Sequence, residues 1–276
     1  MNNRDIRRKF GQNYLSDPAI IFEMGQSISP NKGDNFLEIG PGMGALTDTL
    51  NLSGINIKAI DVDKNNVEFL SKKFNGPASF EFIQDDILKT SLEFLKGRRY
   101  RVVGNLPYNI STQIILMFSN WHEDIRDMHF LVQKEVAEKI SGNVGTKNWG
   151  KLSIKLSAFY NTQILFNLPP ESFDIKPKVD SSFIRLSPKK IIDIDIVLKK
   201  KFYEVVNMSF SSRRKNIRNN LKKVGFNWDE LEIDSNLRPE EVSLEEYIKL
   251  AKALKAVSYT HLRAHETKAN RVCRLL

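Results

Sequence analysis

Residues 35–50 read NFLEIGPGMGALTDTL, and this stretch decides the predicted fold. A short apolar run from Asn35 to Ile39 is followed by three closely spaced glycines and then by the helical spacing of Ala45 to Leu52. Glycines between a strand and a helix allow a tight turn and let a ligand approach the backbone. The stretch therefore predicts a strand, a ligand-binding loop and a helix, as in nucleotide-binding α/β domains.

The same alternation continues over the first two thirds of the chain. Further strands are predicted at Asn56–Ile60, Phe80–Ile83, Tyr100–Val103 and Met128–Val132, and helices at Lys64–Phe74, Ser111–Ser119 and Lys134–Ile140. Strands separated by helices favour a doubly wound, mostly parallel sheet. Two more strands, Gln163–Asn167 and Ser181–Leu186, are joined by a proline-rich turn and predict an antiparallel addition at one edge.

The pattern changes after Pro188, where no convincing strand follows. Apolar residues from Leu244 to Leu254 have helical spacing and predict a helix that ends near Lys255, within a small all-α domain. We predict an α/β domain over residues 1–188 and a helical domain over residues 189–256. Residues 257–276 show no sustained periodicity and resemble a translated adaptor or read-through segment, so we expect this tail to be non-native.

The charge is concentrated in blocks. Forty-two Lys and Arg against 33 Asp and Glu give a net charge of +9. Residues 1–10 hold four basic residues and one acid, residues 199–223 hold nine and one, and residues 227–246 hold one basic residue and eight acids. Blocks of one sign orient a polyanion as well as attract it. We therefore expect a nucleic-acid partner.

The cysteine content and the hydropathy of the sequence indicate the compartment in which the protein works. The single cysteine, Cys273, can form neither an internal disulfide nor a thiolate metal site, which favours a reducing compartment. No apolar run approaches the ~18 residues that a membrane span needs. We expect a cytoplasmic monomer that does not enter a membrane and needs no metal.

Three acids accompany the glycine loop. Asp61 ends the second predicted strand, where a carboxylate can accept both hydroxyls of a ribose, and Asp86 follows the third, where it can accept from an adenine amino group. Glu38 precedes the first glycine by two residues and can help to orient the cationic end of a sulfonium amino acid. This combination resembles S-adenosylmethionine-dependent methyltransferases.

A second interpretation of the loop stays open at this point. Gly40, Gly42 and Ala45 also fit the dinucleotide fingerprint G-x-G-x-x-G/A, with Asp61 at about the right distance for a ribose diol. A nicotinamide-dependent dehydrogenase is therefore an alternative, although it leaves the charge pattern unexplained.

The sequence Asn105-Leu106-Pro107-Tyr108 follows the fourth predicted strand. The lone pair of an adenine amine is delocalised into the ring, so the amine is a poor nucleophile. The Asn105 oxygen and a backbone carbonyl held by Pro107 can accept its two hydrogens, which favours a pyramidal nitrogen. Tyr108 can stack on a flipped or unpaired base. The motif predicts adenine N6 methylation without a strong general base.

Together these segments resemble the ribosomal RNA adenine N6-dimethyltransferase family, on the branch that modifies 16S rRNA of the small subunit. The resemblance covers about residues 5–255. The matching segments are KFGQNYL at 9–15, the glycine loop at 38–47, NLPY at 105–108, QKEVA at 133–137, residues 173–181, and RRKNIRNNL at 213–221.

The resemblance implies a Rossmann-like class I methyltransferase fold and a set of roles. Asn13 and Leu15 would close over S-adenosylmethionine, and Tyr108 and Phe173 would sandwich the target adenine. The expected donor site is Asn13, Leu15, Glu38, Gly40, Gly42, Asp61, Asp86 and Asn105, and the expected catalytic set is Asn105, Leu106, Pro107, Tyr108 and Phe173. The family reaction places four methyl groups on two adjacent adenosines in a hairpin loop near the 3′ end of 16S rRNA, on a small-subunit precursor.

The basic segments are expected to hold the RNA, because phosphates fix the register while unpaired bases are recognised by stacking and hydrogen bonds. We predict an N-terminal arm and a basic helix on either side of the pocket. The residues concerned are Arg7, Arg8, Lys9, Arg213, Arg214, Lys215, Arg218 and Lys222.

The sequence departs from the family pattern at several positions. Tyr14 and Trp149 stand where the family commonly has Phe and Tyr. Ile175 replaces a usual proline, which leaves Phe173 on a less rigid loop, and Phe173 could instead be a core residue.

Three rival functions stay open: a large-subunit rRNA adenine methyltransferase that confers antibiotic resistance, a DNA adenine methyltransferase, and a non-catalytic RNA-binding assembly factor.

Overall fold

The computed structural model of the chain describes residues 13–74, 78–190 and 194–254. The predicted arm residues Arg7, Arg8 and Lys9 and the predicted tail 257–276 lie outside the described residues. The chain divides into two compact units, Met1–Ile194 and Asp195–Leu276.

The first unit is built on a seven-stranded sheet flanked by helices. Its strands are β1 (Asn35–Ile39), β2 (Asn56–Asp61), β3 (Ser79–Gln84), β4 (Tyr100–Asn105), β5 (Ile125–Gln133), β6 (Tyr160–Leu168) and β7 (Ser181–Pro188). Its helices are α1 (Pro18–Ile28), α2 (Ala45–Leu50), α3 (Lys64–Lys73), α4 (Ser111–Met117), α5 (Lys134–Ile140) and α6 (Lys151–Ser157).

The strand order is β3-β2-β1-β4-β5-β7-β6. Strands β1 to β5 pair in parallel, whereas β7 is antiparallel to both β5 and β6. The predicted mostly parallel sheet and its antiparallel addition are confirmed. The chain order reverses between β1 and β4, and in open α/β sheets ligands bind outside the carboxyl ends of the strands at such a point.

The central strands are buried on both faces. Phe36 and Leu37 of β1 and Val102 and Val103 of β4 are each 0% exposed. A parallel strand covered by helices on both sides needs a continuous apolar run, which is why β1 and β4 do not alternate polar and apolar residues. The edge strand β3 is only partly buried along its length.

A buried ionic network joins the amino ends of three of these strands. The Arg101 side chain, 4% exposed, donates from Nε to Asp127 Oδ1 at 2.9 Å and from Nη1 to Asp34 Oδ2 at 2.9 Å. Its Nη1 also donates to the Ser29 carbonyl, just after α1. Burial lowers the pKa of the Arg101 guanidinium, but the hydrogen bonds and charges of Asp127 and Asp34 outweigh it and raise the pKa. The Arg101 guanidinium therefore keeps its positive charge, and its bonds tie α1, β1, β4 and β5 together.

The second unit is helical, as predicted. Its helices are α7 (Ile196–Ser209), α8 (Ile217–Asn220), α9 (Trp228–Leu231) and α10 (Leu244–Ala253). α10 starts with a capping box between Ser243 and Glu246. Phe202 of α7 and Tyr247 of α10 are both 0% exposed. Within the described ranges, no helix is both long and apolar enough to cross a membrane.

The prediction of a basic helix that carries Arg213 to Lys215 is wrong. α7 ends at Ser209 and α8 begins at Ile217, so these residues form the connecting turn and only Arg218 of the basic group is helical. Asn216 caps α8 by accepting from Asn219 N at 3.0 Å. The Asn220 side chain donates to the carbonyl of Lys215 at 3.2 Å and to that of Ser212 at 2.9 Å. Asn side chains that bond nearby backbone groups in this way compete with helix formation.

Replacing Arg101 with Met should destabilise the protein by about 3–5 kcal/mol, because Asp127 and Asp34 are left buried without their shared cation. The control is Arg126→Met: Arg126 also pairs with Asp34, but its side chain is 49% exposed, so its loss should cost under ~1 kcal/mol. Urea unfolding of both variants measures the difference. Equal losses of unfolding free energy would contradict the structural role given to Arg101.

Candidate active site

Loops that follow β1, β2, β3 and β4 line a cavity of about 320 Å³ at the carboxyl ends of the strands. The size is within the usual range of small-molecule sites. Nine of the predicted site residues line it: Asn13, Gly40, Gly42, Asp61, Asp86, Asn105, Leu106, Pro107 and Tyr108. The other three residues of the expected donor and catalytic sets, Leu15, Glu38 and Phe173, are buried beside it or in the core.

The glycine loop approaches the cavity through left-handed backbone. Gly40 and Gly42 have φ values of 62° and 56°, which favour glycine. A Cβ at Gly42 would lie 2.8 Å from Tyr14 Cε1, so this glycine also permits a close approach of the tyrosine ring. A Cβ at Gly40 would meet no atom closer than 3.9 Å, so the loop leaves space beside its backbone at this residue.

Asp61 anchors the loop from the end of β2. Its Oδ2 accepts from Gly42 N at 3.1 Å and from Asn66 Nδ2 at 3.0 Å, and its Oδ1 accepts from Asp63 N at 2.8 Å. Burial raises the pKa of the Asp61 carboxyl, and these hydrogen bonds oppose the rise. A carboxylate offers about four acceptor positions, so Asp61 retains acceptor capacity toward the cavity.

Glu38 is enclosed in the interior at 1% exposure. Thr47 Oγ1 donates to its Oε2 at 2.7 Å. Burial raises the pKa of Glu38 to about 7; the bond from Thr47 lowers it, and the charges of Asp61 and Asp48 raise it further. A carboxyl with this pKa gains stability as an anion when a cation comes close.

Asp86 lies in the turn after β3. Its Oδ1 accepts from Leu88 N at 3.0 Å, and its Oδ2 lies 3.3 Å from Lys89 Nζ. The side chain is 34% exposed and lines the cavity from this turn. Within the described ranges, no group of three or more His, Cys, Asp or Glu could hold a metal ion.

The Asn105 motif forms another part of the cavity wall. Asn105 Nδ2 donates to the Asn13 carbonyl at 2.8 Å, which turns the amide so that its oxygen can accept a hydrogen bond from a substrate. The Tyr108 hydroxyl lies 2.6 Å from Ser181 Oγ at the start of β7. Burial raises the pKa of Tyr108, so the hydroxyl stays protonated. The cavity therefore brings together a hydrogen-bond acceptor and an aromatic ring.

Phe173 does not stack at the cavity in this structure. It is 2% exposed and lies in the hydrophobic core with Leu15, which is 8% exposed. The two residues pair through an isolated antiparallel bridge, and this pairing holds both side chains among core residues. The predicted sandwich of Tyr108 and Phe173 around a base is therefore not formed here.

Among the residues that were not predicted, Tyr14 lines the cavity, and Asn66 and Ser181 bond to the lining residues Asp61 and Tyr108. Tyr14 donates from its hydroxyl to Asn66 Oδ1 at 3.2 Å. Tyr14 and Ser181 lie within or beside segments that carry the family resemblance, which was a usable signal. Asn66 lies on α3, five residues after Asp61, and no pattern in the sequence singled it out.

Comparison with known proteins agrees with this geometry. The family model described as "Ribosomal RNA adenine dimethylase" matches residues 3–256. A ribosomal RNA small subunit methyltransferase A from Legionella pneumophila is 41% identical over 249 residues, 89% of this chain and 96% of the relative. Proteins of the same name from Pseudomonas fluorescens (40% identity; 90% and 93% covered) and Coxiella burnetii (38%; 92% and 100%) are also similar.

Solved structures share the fold. The 23S rRNA methyltransferase ErmE superposes with a TM-score of 0.68 at 22% identity, covering 88% of this chain and 99% of that one. A dimethyladenosine transferase from Plasmodium falciparum gives 0.71 at 22% identity, covering 86% and 95%. Since the family model spans nearly the whole chain and the curated relatives align over almost their full lengths, the chain belongs to the ribosomal RNA adenine dimethylase family.

Proposed function

We propose that this protein transfers methyl groups from S-adenosylmethionine to the N6 amines of two adjacent adenosines in the 3′-terminal hairpin loop of 16S rRNA, on a precursor of the small subunit. The observation that carries the proposal is that one cavity holds both a glycine loop anchored on Asp61 and the Asn105–Tyr108 motif. The names of the curated relatives support the small subunit as substrate.

The residues present fit this donor. Asp61 would accept from the ribose, Asp86 from the adenine amino group, and the left-handed backbone at Gly40 leaves room for close approach. Glu38 would stabilise the cationic end of the donor through its charge: burial raises its pKa to about 7, and a nearby cation would favour the ionised form. S-adenosylmethionine supplies an electrophilic methyl group on its sulfonium when it is bound.

The acceptor side prepares the amine. The Asn105 oxygen and the Leu106 carbonyl, fixed by Pro107, would accept the two N6 hydrogens and direct the nitrogen lone pair toward the methyl group. Tyr108 would stack on the unpaired base. The sulfur–methyl bond breaks as the nitrogen–methyl bond forms, and the ammonium product releases a proton to water. Preorganised acceptors supply the catalysis, and no strong base is needed.

The decisive experiment incubates the protein with labelled S-adenosylmethionine and undermethylated small subunits and maps the product by mass spectrometry. We expect dimethyladenosine at two adjacent positions of 16S rRNA. Asn105→Ala should slow transfer by about 100-fold or more, by analogy with removal of one preorganised polar group, while circular dichroism verifies that the variant is folded.

The matched control is Asn227→Ala, because Asn227 is exposed and makes no side-chain capping bond before α9. This variant should transfer at the wild-type rate. Label on 23S rRNA would select the large-subunit rival, label on DNA the DNA methyltransferase, and no label the non-catalytic assembly factor.

We further propose that the basic turn between α7 and α8 contacts RNA phosphates. Arg213, Arg214 and Lys215 are exposed, as are Arg218 and Lys222. The Arg213 guanidinium lies 5.9 Å from the centre of the Phe210 ring, a contact that helps to position this charge. Exposed cations on a short turn are suited to contacts with a folded RNA backbone.

Arg213→Glu combined with Arg214→Glu should lower methylation of small subunits by at least about 10-fold and weaken its dependence on salt, because each lost phosphate contact removes about 0.7–0.9 from the salt slope. Affinity for S-adenosylhomocysteine should not change. The control, Arg98→Glu with Arg99→Glu, makes the same charge change at exposed positions of the first unit. Similar losses in both double variants would reject a specific role for this turn.

A further inference from the structure

We propose that the Tyr14 hydroxyl is a positioning group that couples occupation of the donor site at Asp61 to the setting of Asn105, through the segment of residues 13–16. This inference rests on the proposed function, because it takes the cavity to be the donor site. It assigns Tyr14 a role that neither the sequence motifs nor the predicted site contain.

The first step is a chain of hydrogen bonds that ends on Asp61. The Tyr14 hydroxyl donates to Asn66 Oδ1 at 3.2 Å, and Asn66 Nδ2 donates to Asp61 Oδ2 at 3.0 Å. Asn66 is 4% exposed, so its amide is held away from bulk water. The same Asp61 oxygen accepts from Gly42 N. Tyr14, the glycine loop and the proposed ribose acceptor are thus joined through one carboxylate oxygen.

The second step is the contact of the ring. Tyr14 lines the cavity, and its Cε1 lies where a side chain at residue 42 would stand. The tyrosine is therefore held at two places, by its ring against Gly42 and by its hydroxyl on Asn66. A shift of the glycine loop or of Asp61 when the donor binds would therefore displace Tyr14.

The third step leads to the segment that carries Tyr14. Tyr14 N donates to Asp174 Oδ1 at 3.1 Å, and Asp174 N donates to the Tyr14 carbonyl at 3.0 Å. Ser16 N donates to the Ser172 carbonyl at 2.9 Å. These bonds pair residues 14–16 with residues 172–174, and a displacement of Tyr14 passes to its neighbour Asn13 through the backbone.

The last step reaches the acceptor side. The Asn13 carbonyl accepts from Asn105 Nδ2, so the position of Asn13 decides how the Asn105 amide is turned. Hydrogen bonds in a chain polarise and orient one another in a low-dielectric interior. A donor that fixes Asp61 would then also fix the Asn105 oxygen that receives the adenine amine, and the coupling must be reciprocal.

The test is Tyr14→Phe, which removes only the hydroxyl and keeps the ring against Gly42. Calorimetry measures the affinity for S-adenosylhomocysteine with and without a 16S rRNA hairpin, and kinetics separates kcat from KM. We expect donor affinity to fall about 3- to 10-fold, as for the loss of one hydrogen bond. The factor by which bound RNA raises the affinity for S-adenosylhomocysteine should fall toward one. In the kinetics, the fold decrease in kcat should be larger than the fold change in the KM for RNA.

The matched control is Tyr203→Phe, the same change on α7 of the second unit, which should leave all three quantities unchanged. Asn66→Ala provides the partner for a double-mutant cycle, in which its effect and that of Tyr14→Phe should be non-additive. Wild-type donor affinity and coupling in Tyr14→Phe would overturn the inference while the proposed function stands. A wild-type protein that binds no S-adenosylhomocysteine would overturn the proposed function, and the inference with it.

Discussion

Burial of the Arg101 guanidinium between Asp127 and Asp34 is the constraint on which the catalytic unit depends. A charge at 4% exposure is tolerated only when it is paired and hydrogen-bonded, and here the partners come from β5 and from the residue before β1. The network sets the register of β1, β4 and β5 at their amino ends. The carboxyl ends of the same strands then meet at the switch in strand order, where the cavity lies.

Two carboxyl groups in and beside that cavity have different surroundings, which suit them to different roles. Asp61 accepts from three protein donors and keeps its place as part of the loop, whereas Glu38 is hydrogen-bonded by Thr47 and has a pKa raised by burial to about 7. The first is suited to accept from a neutral ribose, the second to respond to a cation. The Tyr14 hydroxyl bonds Asn66, and the carbonyl of the preceding residue, Asn13, accepts from Asn105. Tyr14 therefore links this side of the cavity to Asn105.

The strands and the glycine loop were predictable because each depends on a short stretch of sequence. A buried parallel strand is a continuous apolar run, and the loop needs glycine where its backbone is left-handed. The missed helix α1 also carries a local signal, since Asp17 caps it and Pro18 occupies its first turn. Other features depend on contacts between distant segments. The burial of Phe173 follows from its pairing with Leu15, and the turn at Arg213 follows from capping by Asn216, which outweighs the helical spacing of the charges.

The central claim is that the cavity binds the methyl donor through Asp61. Titration calorimetry of S-adenosylhomocysteine against the wild-type protein and Asp61→Ala tests it most directly, with circular dichroism to verify that the variant is folded. The account predicts binding by the wild type and a loss of about 10- to 100-fold in the variant, as for one or more hydrogen bonds to a charged group. Equal affinities of the two proteins would contradict it.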